Sequence, residues 1–517
     1  MTTINYKHCY WILLFVLFSC AKDLGNYEYT TQYDLKIEGV KSEYNVLTQI
    51  DTLQISPQLS SEHYQENSEQ YRYTWLLFRD LFNTDTVGTS KNLILPVRQA
   101  PGGYNLFLHV YDPESGIRWT TKSKLTIGTK LSRGMLLIGE NEQKLADINM
   151  LAMSSDTVVI KELLAGNGLP SLTGPIHVQH SGGALASRNR LWAFTSSGSY
   201  YLDLSTLKGS ANNNFASLNY NSFGLTSDQM TPVLLAPQIN SISGSTGDSF
   251  GRLMVTKEGH IFGGNILESG GDMYADPLNR DADQPRVLLP AAPYLFYPLR
   301  STSSMIWFDT QHKRFMRIPS FFSTYTSNRI AENTGNLFSW DQSSVGRSLV
   351  YGENSFNSDG GATNGNSFAI MRDGQNKHFI YKFYANSAVP TQNGLYEIKP
   401  IAIDFDKASS YAFASYRTLV LYVVEGKLYA YDYSPGNERF YALNLSENNE
   451  VTMIRFDTQI HPLENDLYLA SYNATDKGTL QRFKLVANPN TVEFQAVAGS
   501  KWSNLIKIKS MAWRAVN

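Results

Sequence analysis

One two-strand unit recurs from about residue 130 to the end of this 517-residue chain: an apolar run, a polar turn, then a second strand with aromatics. Copies start at Met135, Leu191, Leu253, Met305, Phe368, Leu419 and Leu467, spaced 56, 62, 52, 63, 51 and 48 residues apart. The clearest copy is Leu253-Met254-Val255-Thr256-Lys257-Glu258-Gly259-His260-Ile261-Phe262. A four-stranded propeller blade takes roughly 40–50 residues, so these intervals suit blades with generous loops. The spacing predicts a seven-bladed β-propeller over 130–517, each hairpin being the middle of a blade. A sandwich array, or a ring of six or eight blades, is the competing reading. Inner strands are expected upstream of the hairpins, at Ile176-His177-Val178, Ile401-Ala402-Ile403-Asp404 and Val451-Thr452-Met453-Ile454. The first hairpin has no strand before it except the link from the preceding domain. The unattached segment Leu505–Trp513 is expected to lie beside Met135–Ile138, which removes two open sheet edges at once.

The preceding stretch, 27–128, also reads as all β. Leu35, Ile37 and Val40 mark one candidate strand, and Leu53, Ile55 and Leu59 alternate with polar residues as a half-buried strand does. Tyr71–Phe78 carries Trp75 as a core candidate, followed by Asn92–Leu95, the turn Pro101-Gly102-Gly103 and Tyr104–Asp112. Pro113-Glu114-Ser115-Gly116 then leads into a last strand ending near Ile127. Strands of this length and spacing predict a β-sandwich. Tyr73-Thr74-Trp75, Pro101-Gly102-Gly103-Tyr104, the alternation Leu106, Leu108, Val110, and Asp112 resemble the PKD family of immunoglobulin-like domains. The Gly-Asp-Gly turn usual in that family after the Trp is replaced by Arg79-Asp80. The resemblance implies a core role for the Trp, Tyr and Leu positions and a spacer role for the domain.

The N-terminus carries a different signal. Lys7, the apolar run Trp11–Phe18 and Ser19 precede Cys20, and Ala21-Lys22-Asp23-Leu24-Gly25-Asn26 follows it. The run has about half of the roughly 20 apolar residues that a membrane span needs. The order resembles a bacterial lipoprotein signal, in which the peptide is cut before the Cys and the new terminus is acylated. That resemblance implies a signal peptide at 1–19, lipid on Cys20 and a tether at 20–26. Several acyl chains make a durable anchor. Lys22-Asp23 partly resembles the signal that sends lipoproteins to the outer face of the outer membrane. Asp23-Leu24-Gly25-Asn26-Tyr27-Glu28-Tyr29 resembles the start of PKD-like surface lipoproteins. Relatives of that layout accompany SusC/SusD-like nutrient importers. The resemblance therefore implies an outer-membrane protein facing the exterior, serving a TonB-dependent uptake system for oligosaccharides or peptides.

Composition agrees with a folded protein and excludes some functions. Charged residues make up 17% and aromatics 13%, with 31 Tyr, so neutral hydrogen-bonding groups dominate the polar surface. The formal charge is -2, and nothing forms the basic footprint that nucleic acid requires. Only Cys9 and Cys20 are present. Loss of the signal would leave one Cys and no disulfide, so core burial must stabilise the fold.

The residues do not assemble into a strong catalytic motif. There is no H-E-x-x-H and no P-loop pattern, and the Asp-box of sialidase-like propellers is absent. His177 and His180 are the closest His pair, but three residues apart on a strand they point to opposite faces, so shared metal ligation is not expected. His260 reads as a solvated hairpin residue. Asp272, Asp276, Asp281 and Asp283 do not match the EF-hand spacing, and Arg280 and Arg286 are expected to neutralise them. The loop Glu353–Asn366 reads either as a cover over one propeller mouth or as an idle segment. Asp404 and Asp457 would need to approach within about 5–10 Å to hydrolyse a glycan; they are expected instead to cap strand ends. The reading is therefore a non-enzymatic binding protein with no cofactor, no metal and no assigned ligand residues. A glycan hydrolase or lyase acting in the propeller channel is the alternative.

Overall fold

A computed structural model describes residues 34–61, 70–79, 84–154, 156–181, 185, 188–239, 251–265, 267, 273–300, 304–319, 326–386 and 389–515. Cys20, the tether and the signal segment lie outside the described residues, as do Asp80 and Asp272. The described residues form strands and short 3-10 turns, with no α-helix among them. The chain divides into two compact units: residues up to Arg98 with Gly103–Leu125, and Gln99–Gly102 with Thr126 onward.

The first unit is an immunoglobulin-like sandwich. One sheet orders Glu43–Leu47, Arg118–Gly128, Gly102–Tyr111, Arg72–Phe78 and Thr84–Gly88. Facing strands pair as Lys36–Glu38 with Gln58–Ser60, and Thr52–Ile55 with Leu93–Pro96. The expected Leu53, Ile55 and Leu59 are all buried. They fall on two strands rather than one, because Pro57 removes a ladder donor between them. Glu43–Leu47 and Thr84–Gly88 escaped the sequence reading; their apolar alternation is weak, as suits strands at the two edges of the sheet. Trp75 sits opposite Leu108, fully buried, and its indole N–H donates to the Ser90 carbonyl at 3.0 Å. Asp112 folds the next turn, its carboxylate accepting from the Glu114 N–H (3.0 Å) and the Ser115 hydroxyl (2.8 Å).

The second unit is a β-propeller of seven sheets. Each predicted hairpin start opens or lies in the second strand of a blade: Arg133–Glu140, Leu191–Thr195, Gly251–Thr256, Met305–Asp309, Ser367–Arg372, Leu419–Val424 and Leu467–Asn473. These strands are apolar at nearly every position because both faces are buried, one against each neighbouring blade. Alternate residues of Gly251–Thr256 show this. Leu253 and Val255 pack with Met305, Trp307 and Met316 of the fourth blade. Met254 packs with Trp192 and Phe194 of the second. Seven such clusters run from blade to blade, and one joins Tyr468, Ala470 and Leu480 of the seventh to Met135, Leu137 and Trp513 of the first. The pairing expected of the last segment is present: Lys507–Ala515 lies antiparallel to Arg133–Glu140, with Met135 opposite Trp513.

One inner strand differs from expectation. Ile401–Asp404 is a turn leading into the 3-10 segment Phe405–Lys407, and the sixth blade begins at Ser410–Phe413 instead. Pro400 precedes the turn, Asp404 takes a left-handed conformation (φ 54°), and Ile401 and Ile403 are exposed. Ile176–Val178 and Val451–Ile454 do lie on inner strands, Pro175–His180 and Glu450–Phe456.

Candidate functional site

A cavity of about 470 Å³ lies on the propeller axis, and every blade contributes its inner strand or segment to it. Lys509 and Ser510 come from the first blade, Ile176 and His177 from the second, Val233 and Leu234 from the third. Tyr294 and Leu295 come from the fourth, Tyr351 to Asn354 from the fifth, Ser410 and Tyr411 from the sixth, and Thr452 to Arg455 from the seventh. The segment after the third inner strand crosses toward the seventh blade. There the Gln238 amide donates to the Thr458 hydroxyl (2.8 Å), and the Gln459 amide donates to the Ile239 carbonyl (3.1 Å).

Arg455 is the inward cation. Its guanidinium donates to the Met511 carbonyl and to Gln238 Oε1 (2.9 Å), both neutral acceptors. Among the described residues no carboxylate is ion-paired with it. Burial lowers its pKa, against the opposing fields of Asp457, Glu353, Tyr351 and Tyr297. Asp457, two residues on, is committed elsewhere: its carboxylate accepts the backbone N–H groups of Gln459 (2.9 Å), Ile460 (2.8 Å) and His461 (2.7 Å).

Glu353 is the only carboxylate among the lining residues. Its Oε2 accepts from the Phe413 N–H (2.9 Å) and the Tyr351 hydroxyl (3.2 Å). Burial pushes the carboxyl up to about 7, against the pull of those bonds and of Arg455. His177 Nδ1 and Ser510 Oγ are 2.6 Å apart, and burial, aided by Arg455, holds the imidazole near 3 and therefore neutral. Thr452 Oγ1 is buried without a partner. Tyrosine rings form much of the wall: Tyr351 is edge-on to Tyr294 at 5.7 Å and tilted against Tyr411 at 5.3 Å. Tyr297, whose hydroxyl accepts from the Gln238 N–H (3.1 Å), is pushed up to about 12 by burial.

The residues singled out in the sequence are scattered. His177 lines the cavity, whereas His180, three residues along the same strand, is buried near Arg514 and Arg252. His260 is half-buried and edge-on to Phe262 rather than solvated. Asp281 is paired by Arg314 (3.2 Å) and Arg329 (2.8 Å). Arg280 instead donates to the carbonyls of Pro277 and Pro285, and it and Arg286 lie over Phe223. Asp276 accepts from the N–H and hydroxyl of Ser222, and Asp283 is exposed. Glu353 and Asn354 end a strand rather than begin a loop. The following segment is pinned: Asn357 donates to the Ser415 carbonyl (2.9 Å), and Lys382 donates to Asp359 (2.8 Å). Asp404 accepts from Lys407 (2.7 Å) in an exposed turn. Asp457 caps the turn after its strand, as expected, whereas Asp404 precedes the 3-10 segment Phe405–Lys407 without a side-chain capping bond.

Sequence reasoning missed Arg455, Tyr351 and Tyr411 and took Glu353 for a loop residue. A signal existed for Arg455: it is the one charge in the run Val451–Phe456, whose other residues are apolar except Thr452. The sequence reading also took the G-x-S-x-G spacing of a hydrolase nucleophile turn to be absent, which is wrong: Gly247-Asp248-Ser249-Phe250-Gly251 has it. That turn joins a strand to a following helix, but here Gly251 opens the strand Gly251–Thr256, and 247–250 lie outside the described residues.

Residues 20–169 match the model of the PKD-like family, a span that covers the sandwich and continues through the first three strands of the first blade. No curated protein matches the chain. Among solved structures, a quinonprotein alcohol dehydrogenase-like protein from Bacteroides thetaiotaomicron VPI-5482 is 12% identical. The likeness covers 91% of this chain and 97% of that one, with a TM-score of 0.36. The extracellular domain of a one-component system from B. thetaiotaomicron is 11% identical over 90% of this chain and 74% of that one, TM-score 0.36. PorZ, a surface component of the type-IX secretion system of Porphyromonas gingivalis, is 12% identical over 78% and 44%, TM-score 0.32. Likenesses this slight lend no weight to any activity.

Proposed function

We propose that this chain is a lipid-anchored outer-membrane surface protein whose propeller axis receives a ligand, acting as a binding accessory of a SusC/SusD-like oligosaccharide or peptide importer. The observation that carries the binding role is the axial cavity, lined from all seven blades by tyrosines, amides, hydroxyls and two cations, Arg455 and Lys509. Pockets of this size with a few convergent polar groups are where small ligands bind. Glycoside hydrolysis needs two carboxyl groups flanking the bond, and the lining residues include one. That favours binding over cleavage. The anchor and the importer rest on the resemblance of the N-terminal segment to PKD-like surface lipoproteins.

Pull-down of the native lipoprotein from solubilised outer membrane, with mass spectrometry of its companions, tests the importer. A SusC/SusD-like pair is expected. Purification alone, together with cleavage of a glycan panel, would sink the accessory role. Ser410→Trp, which fills the cavity, tests the axial receptor: ligand capture should fall at least about tenfold, and unchanged capture would place binding elsewhere.

A further inference from the structure

We infer that the axial cavity takes a ligand bearing a single carboxylate, with the Arg455 guanidinium as its anchor. This rests on the reading of the axis as a receptor and names the chemistry of what it receives.

A cation removed from bulk water is costly unless paired, and proteins normally supply a carboxylate. Here the two groups bonded to Arg455 are a backbone carbonyl and an amide oxygen. The nearest acid in the chain, Asp457, is consumed by three backbone N–H groups. The guanidinium is nevertheless well oriented, because Gln238, which accepts from it, is itself fixed by Thr458 and Tyr297. An oriented planar fork with donors to spare suits a carboxylate in bidentate contact.

The surroundings set the charge of the ligand at one. Lys509 is exposed at the cavity and adds to the attraction for anions. His177 is neutral, so the cations lining the cavity are Arg455 and, exposed to solvent, Lys509. Glu353 keeps its proton up to about neutrality and can donate a hydrogen bond instead of repelling an acid. A phosphate or sulfate dianion needs more compensation than one guanidinium gives. Thr452 Oγ1, buried and unpartnered three residues before Arg455, is a further hydrogen-bonding group for the ligand. The tyrosine wall supplies flat apolar faces with polar rims. Two sources carry this chemistry: an acidic sugar with its ring face on tyrosine, and the terminal carboxylate of a short peptide.

Calorimetry on the whole purified protein distinguishes them with four probes: the monoacid galacturonate and its neutral counterpart galactose, and N-acetyl-Tyr-Ala and its C-terminal amide. One acid is expected to bind at least about tenfold tighter than its uncharged counterpart. The acid that wins names the source. Arg455→Met should abolish that preference and Arg455→Lys should keep part of it. If Arg455→Met does not fold, Gln238→Leu, which removes the acceptor that orients the guanidinium, should weaken the acid several-fold more than its neutral counterpart. A preference that survives both substitutions overturns the inference. Neutral and acidic probes binding alike, with binding lost in Ser410→Trp, overturns the carboxylate and leaves the axial receptor intact. No binding of any probe at about 10 mM, a concentration that reveals even weak sites, overturns both.

Discussion

Arg455 and Glu353 face one cavity without forming an ion pair, and their environments act in opposite directions. Burial makes Glu353 hold its proton, while the field of Arg455 and the bonds from Phe413 N–H and Tyr351 favour ionisation; burial wins. The consequence for stability has a definite sign. The folded carboxyl titrates near 7 against an ordinary value of 4.5, so the folded state binds more protons between those values. Stability is full below about pH 4.5 and is lost as pH rises through 7, by at most about 3 kcal/mol. Melting curves between pH 5 and 8 should therefore show a fall that Glu353→Gln removes. A profile identical in wild type and variant would mean that the carboxyl is already ionised at pH 5. None of this was legible in the sequence, where Glu353 stands next to an Asn-, Ser- and Gly-rich stretch. Its burial comes from the fifth and sixth blades meeting at Phe413 and Tyr351.

At the scale of elements, the second strand of each blade was readable because its environment is local in pattern: apolar on both faces, five to eight residues long, ended by a polar turn. The inner strands were harder. They are half-lined by polar cavity groups, so their periodicity is diluted, and Ile401–Asp404 passes for the strand that Ser410–Phe413 forms, each having three apolar residues in four. The terminal strand pairs with the first hairpin through a bulge between Ile138 and Gly139. A Cβ at Gly139 would lie 2.1 Å from the Lys507 carbonyl oxygen, closer than any side chain tolerates. Gly139→Ala should therefore destabilise the propeller by about 1–3 kcal/mol. Hydrogen exchange should speed up in both 133–140 and 507–515. Acceleration confined to one of the two segments would show that they do not protect each other.

For the whole molecule, the proposed anchor makes a prediction independent of the propeller. Cys20→Ala should move the protein from the membrane fraction to the soluble fraction, since the proposed hold on the bilayer is the acyl chains carried by that sulfur. Partitioning like that of wild type would remove the lipid from the account.

The sequence by itself determined the all-β class and the sandwich before the propeller, and it favoured seven blades while leaving six or eight open. These depend on short-range alternation and on a repeat that can be counted along the chain. The tertiary structure alone decided what the blades enclose. The cavity wall takes a few residues from each of seven segments spread over more than 300 positions, and each is unremarkable among its sequence neighbours. Only convergence on one axis sets Arg455 among neutral partners and leaves Glu353 its proton. Charge in a cavity depends on what stands opposite, which local pattern does not encode.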